Sequence, residues 1–169
     1  MNKKILSHAI LFIALIFGMS SCDLGGNSNY IPQLSFANPA ILNSSDSLTM
    51  GYTDEGNIKL DSLHVNDTVT VWVLGNGFTN SLKKLDISVT EIGDVEILAP
   101  HDTITQYFDA SSDFVGGKIV FPENTGGMSY PFRFVTAKQT SKTKIKFLLT
   151  SDAQEVSNVS GLQLEFPIK

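Results

Sequence analysis

From Tyr30 onwards, apolar and polar side chains alternate with a period of two, in many short runs separated by turn residues. That period confines each run to an extended strand with one face for a core, because successive side chains on a strand point to opposite sides of a sheet. In Thr68–Leu74, Val69, Val71 and Val73 share one face while Thr70, Trp72 and Leu74 share the other. Leu85, Ile87 and Val89 alternate with Lys84, Asp86 and Ser88, Phe132 and Phe134 flank Arg133, and Ile145, Phe147 and Leu149 are separated by Lys146 and Leu148. The last run sets Leu162, Leu164, Phe166 and Ile168 against Gln163 and Glu165 and reads as the closing strand. Pro167 has no amide hydrogen to give a ladder, so it argues for an edge position or a strand end.

Turn residues fill the gaps: Gly75, Asn76 and Gly77; Ile92, Gly93 and Asp94; Gly116 and Gly117; and Glu123 through Gly127. No segment sustains a helical period. About seven to nine strands spaced roughly 8–12 residues apart predict an all-β fold, two antiparallel sheets packed as an immunoglobulin-like β-sandwich. A small closed barrel is the competing architecture. The Cys, Trp, Cys signature of antibody domains is missing, so "immunoglobulin-like" refers to architecture alone.

Ahead of the strands, Lys3 and Lys4 precede an apolar run from Ala9 to Phe17, and the small residues Gly18, Ser20 and Ser21 follow. This is the pattern of a secretory signal over residues 1–21, and the run falls short of the roughly 20 residues needed to span a membrane. Met19, Ser20, Ser21 and Cys22 resemble a bacterial lipobox, which implies cleavage between Ser21 and Cys22 and a diacylated Cys22. Cys22 is the sole cysteine, whereas an exported domain using disulfides would carry them in pairs. The competing reading is an ordinary signal peptide with a chance cysteine. Several acyl chains on one residue approach stable anchoring, where a single chain holds marginally. Residues 22–29, with Gly25 and Gly26 and little apolar content, read as a flexible tether, and 30–169 as the folded domain.

Removal of 1–21 leaves 148 of the 169 residues, the size of one domain with a real core. Lys3 and Lys4 leave with the signal, so 10 of the 12 Lys and Arg remain against 17 Asp and Glu, a net charge of −7. Nucleic acid is thereby an unexpected partner. The acidic residues are spread along the chain, as on a solvated surface, and form no acidic tail.

Asp61, Ser62, Leu63, then Asn66, Asp67, Thr68, Val69, then Asn76, Gly77, and later Leu149, Thr150, Ser151, Asp152 give the mature chain a further resemblance. It is similar to small Bacteroidota lipoproteins that carry one immunoglobulin-like sandwich and have no assigned activity. The resemblance implies fold and compartment, a lipid-anchored envelope protein at the outer membrane, with its periplasmic or surface orientation open. Asp23 would resemble an inner-membrane retention signal in enteric bacteria, a rule not expected to hold in Bacteroidota.

Little in the chain suggests chemistry. His64 and His101 have no metal-ligand spacing and read as surface or turn residues, and no Gly-x-Ser-x-Gly nucleophile elbow occurs. Asp54, Glu55, Gly56 and Asn57 carry oxygen ligands but lack the spacing of a calcium loop, so they read as a turn before Ile58 and Leu60. Neither an enzyme nor a metal or cofactor is expected. Trp72 is the most suggestive residue: opposite three core valines it points outward, to stack on a sugar or anchor a protein, unless loops or a neighbouring strand cover it. Tyr107, Phe108 and Tyr130 are candidates for the same surface. Four triplets resemble the O-glycosylation motif of exported Bacteroidota proteins, with Ser47, Ser62, Thr68 and Thr103 as acceptors; an equal reading is that such triplets begin strands after turns. The expected function is a noncatalytic, lipid-anchored module for a glycan or an envelope protein. The alternative is a structural or adhesive lipoprotein that assembles through an edge strand.

Overall fold

The alternating runs become strands wherever the sequence marks them. The computed structural model describes residues 30–154 and 156–169; the signal segment, Cys22 and the tether lie outside the described residues. Along the chain run β1 (Gln33–Phe36), β2 (Ala40–Leu42), β3 (Asp46–Leu48), β4 (Met50–Tyr52), β5 (Ile58–Leu60), β6 (Thr68–Asn76), β7 (Leu82–Val89) and β8 (Val95–Leu98). There follow one helical turn, α1 (Asp102–Thr105), then β9 (Lys118–Val120), β10 (Gly127–Thr136), β11 (Thr140–Ser151) and β12 (Val159–Ile168).

These strands form an all-β sandwich of two sheets. In the first, β3, β2, β6, β10 and β8 lie side by side in that order, with β1 also paired to β6; in the second the order is β4, β5, β12, β11, β7, β9. Every pairing is antiparallel except that of β5 with β12. The order β1, β6, β10, β8 against β12, β11, β7 corresponds to strands A, B, E, D and G, F, C of a constant-type immunoglobulin sandwich. The chain departs from that plan where β9 follows β8 in sequence yet joins the opposite sheet outside β7.

Side chains of the two inner faces interdigitate in one core. Val69, Val71 and Val73 of β6 and Tyr130, Phe132 and Phe134 of β10 meet Ile145, Phe147 and Leu149 of β11 and Leu164, Phe166 and Ile168 of β12, all buried. Phe132 meets Phe147 edge-on at 5.1 Å, and Phe134 stacks on Phe166 at 5.2 Å, so rings from opposite sheets pin the layers together.

Several expectations are corrected by this arrangement. The described residues hold twelve strands, not seven to nine, because the segment from Ala40 to Leu60 folds into four strands of three residues each. Runs that short cannot display a period. The turn expected from Gly75 begins two residues later, at Gly77: Gly75 and Asn76 both belong to β6, and a Cβ on Gly75 would lie 2.9 Å from Leu149 of the opposite sheet. Of the two places expected for Pro167, it takes the strand end: it is the penultimate residue of β12, which itself lies between β11 and β5. It sits where the register of β11 against β12 shifts, and its carbonyl accepts the Leu63 amide on the other side. Finally, Asp102, Thr103 and Ile104 form α1 and start no strand.

Candidate functional site

The pattern that buries one face of the second sheet dictates what its outer face carries. With Ile145, Phe147 and Leu149 inward, Lys144 and Lys146 of β11 point out, joined by Gln163 and Glu165 of β12, Lys59 of β5, Lys84 and Asp86 of β7 and Lys118 of β9. Register aligns them in rows. Lys59, Glu165 and Lys144 lie opposite one another across three strands, as do Gln163, Lys146 and Ser88. Lys142 extends the group from the bulge that opens β11. Six of the ten Lys and Arg beyond residue 21 therefore share one face with Glu165 and Asp86, with Asp54 and Glu55 in the turn beside it, on a chain that is acidic as a whole.

Glu165 organises this face. It is 4% exposed, covered by its own partners in a single layer. Lys142 Nζ lies 2.6 Å from Oε2 and Lys144 Nζ 3.3 Å from Oε1, while Asn57 Nδ2 and Gln163 Nε2 donate to Oε1 at 2.8 and 2.7 Å. The Lys142 hydrogen bond, reinforced by Gln163 and Lys144, outweighs the cost of burial and holds the carboxyl at a pKa of about 2. Reciprocally, Glu165 raises the pKa of Lys142. A carboxylate held ionised by these donors has no proton to give at neutral pH. Its role is to fix ammonium groups, each of which keeps further N–H donors for another anion.

Two clefts flank Glu165 along β12. One, of about 400 Å³, lies between Tyr52, Asp54, Lys59, Lys142 and Pro167; the other, of about 330 Å³, lies over Gly161 between Asn57, Lys146 and Gln163. Gly161 has no side chain to fill the second cleft. The wall they share hangs on the turn between β4 and β5, where Asp54, Glu55 and Gly56, at φ +81°, bring Asn57 over Glu165. The tetrapeptide is the turn its composition suggested. Its attachment to Glu165 spans 108 residues of sequence and left no local signal.

The other residues singled out by the sequence are dispersed. Trp72 points outward from the first sheet and is 36% exposed, as its alternation with the valines requires. Its cross-strand neighbour is Pro131, and among the described residues no aromatic ring pairs with it. Tyr130 and Phe108 are not on that surface: Tyr130 is fully buried and meets Phe108 edge-on at 5.6 Å, while Tyr107 is exposed. Ser47 and Thr103 are exposed, whereas Ser62 and Thr68 are half-buried. Leu48, Leu63 and Val69, the third members of three triplets, all enter the core. His64 and His101 are both exposed. Cys22 and Ser21 lie outside the described residues.

No protein-family model matches the sequence, and neither does any curated protein. Among solved structures, the secreted serine protease VesC from Vibrio cholerae is similar at 12% identity over 72% of this chain and 23% of its own, with a TM-score of 0.38. A FixG-related protein from Vibrio parahaemolyticus matches at 16% identity, 79% and 99% coverage, TM-score 0.35. A family 123 glycoside hydrolase from Clostridium perfringens matches at 12% identity, 81% and 27% coverage, TM-score 0.36. The chain thus spans about a quarter of the length of two of the three. At such scores no functional argument rests on any of them.

Proposed function

We propose that this chain is a lipid-anchored, noncatalytic module of the bacterial cell envelope, held at the outer membrane through Cys22, that binds an anionic glycan on the lysine face of its second sheet. The observation that carries the binding reading is the segregation of charge: six of ten cations on one face of a chain with net charge −7 beyond the signal. A local excess of cations on an acidic chain makes a field that attracts anions to that face. Glu165 supports a binding role over a catalytic one, because four donors hold it ionised while it holds two lysines in place. The clefts on either side of it give a polymer somewhere to lie. Exposure makes Ser47 and Thr103 the better acceptors, should the triplets be glycosylated.

Lys59 and Lys146 make no ion pair with Glu165 and line the two clefts, so they test the face without disturbing its anchor. Intact acylated protein is expected to bind polygalacturonate and to ignore uncharged dextran. Joint replacement Lys59→Gln and Lys146→Gln should weaken uronate binding by about tenfold, and rising salt should weaken it further. Equal binding of both polymers, or no response to the double variant, would contradict the assignment.

A further inference from the structure

At the end of the sandwich where the chain leads back to Cys22, three large apolar side chains stand in solvent. Tyr30 is 61% exposed, Ile31 51% and Phe78 44%. The rings of Tyr30 and Phe78 lie 5.2 Å apart, so the first described residues and the turn between β6 and β7 form one tip. The turn is built to present it. Asn80 donates its amide hydrogen to the Gly77 carbonyl and its side chain to the Tyr30 carbonyl, Asn76 Oδ1 accepts the Phe78 amide, and a Cβ at Gly77 would collide with the Asn80 carbonyl oxygen. Phe78 itself sits at φ +57°, a left-handed conformation that bulky residues seldom adopt and that costs about 1 kcal/mol or more. Folding thus spends energy twice there: on a strained backbone and on a phenylalanine left in water.

We infer that Tyr30, Ile31 and Phe78 form a membrane-contact tip that seats in the interfacial layer of the bilayer to which Cys22 is anchored. The occupant follows from where the chain goes. Seven residues separate Cys22 from Tyr30, so over eight backbone steps the tip lies within roughly 27 Å of the lipid-bearing residue, and no other described part of the fold is as near along the chain. Tyrosine, with an apolar body and a polar edge, concentrates at the membrane interface, where Tyr30 would sit while the wholly apolar Ile31 and Phe78 shed the water that the sandwich leaves on them. Seating there sets the orientation of the whole domain. Leu82, which opens β7, lies at the tip end, whereas Val89 and the row holding Glu165 lie some seven residues up the strand, about 20 Å away. Both outer sheet faces stay clear of the bilayer, with Glu165 and the lysines of β5 and β11 beside it at the distal end.

The inference rests on the Cys22 anchor, and the test separates the two. Trp72 is the only tryptophan, so Trp72→Phe gives a silent background in which Phe78→Trp reports on the tip and Ile92→Trp, in the turn after β7 at the opposite end, serves as control. Full-length acylated variants are placed in phosphatidylethanolamine–phosphatidylglycerol vesicles with acyl chains brominated near the headgroup, and vesicle flotation is read alongside fluorescence. Both variants should float; emission from residue 78 should shift to the blue and fall at least twofold, with residue 92 unquenched. Flotation without quenching at residue 78 leaves the anchor intact and overturns the tip. A blue shift without quenching assigns the tip to a second copy or another protein and overturns it equally. Protein that neither carries acyl chains nor floats refutes the anchor, and the tip with it.

Discussion

Glu165 is the residue on which the proposed surface depends, and its titration is the sharpest handle on it. Its folded pKa of about 2 lies below the ordinary 4.5, so the stability it contributes is fully present above pH 4.5 and is lost as pH falls from there towards 2. Its lysine partners are about one-half and one-third exposed, and solvent screening reduces the effect to about 1 kcal/mol. Glu165→Gln should therefore be less stable than the wild type by that amount in urea unfolding at pH 7, with the gap closing by pH 2; a gap that persists in acid would mean packing, not charge, is responsible. Tyr130 makes the contrasting case. Its hydroxyl is buried without a hydrogen-bond partner among the described residues, and burial pushes its pKa up. Removal of an unsatisfied polar atom relieves a desolvation cost, so Tyr130→Phe should leave the melting temperature unchanged or raise it. A loss of 1 kcal/mol or more would reveal a partner for the hydroxyl.

At the scale of elements, the sequence was most legible where strands are long and two-faced. Val69, Val71 and Val73, or Ile145, Phe147 and Leu149, alternate without a break, and each set is wholly buried. The same alternation placed Trp72 outside. It failed for β2 to β4, which are too short to show a period, and for α1, whose four residues cover little more than a helical turn, whereas Ile58 and Leu60 of β5 already read as a strand following a turn. The lysine face was illegible for another reason. Lys144 and Lys146 announce themselves within β11, but Lys59 joins them only through the parallel pairing of β5 with β12, and Asn57 through a turn 108 residues away. Gly75 shows how a turn residue can be a packing residue: valine there would drive into Leu149 and Met128 at 2.9–3.0 Å and should cost about 1–3 kcal/mol in equilibrium unfolding. A neutral Gly75→Val would show that the sheets separate more readily than their packed core implies.

For the molecule as a whole, the edges bear on the choice between a ligand-binding module and a self-assembling one. Every strand on a sheet margin, β1, β3 and β8 in the first sheet and β4 and β9 in the second, has four residues or fewer. Edges this short offer little backbone for pairing with another chain, and Asp46, Glu96 and Lys118 add charge to three of them. That weighs against assembly through an edge strand and in favour of recognition by a face. The proposed anchor, tip and glycan-binding surface would form one arrangement: acyl chains at Cys22, an apolar end against the bilayer, and Glu165 with its surrounding lysines presented at the far end to an anionic glycan. Everything in that arrangement depends on the lipid. Membrane fractionation of the wild type beside Cys22→Ala, with intact-mass analysis of each mature protein, tests it most directly. The account predicts an acylated wild type in the membrane fraction and an unmodified, soluble variant; a soluble wild type of unmodified mass would contradict it.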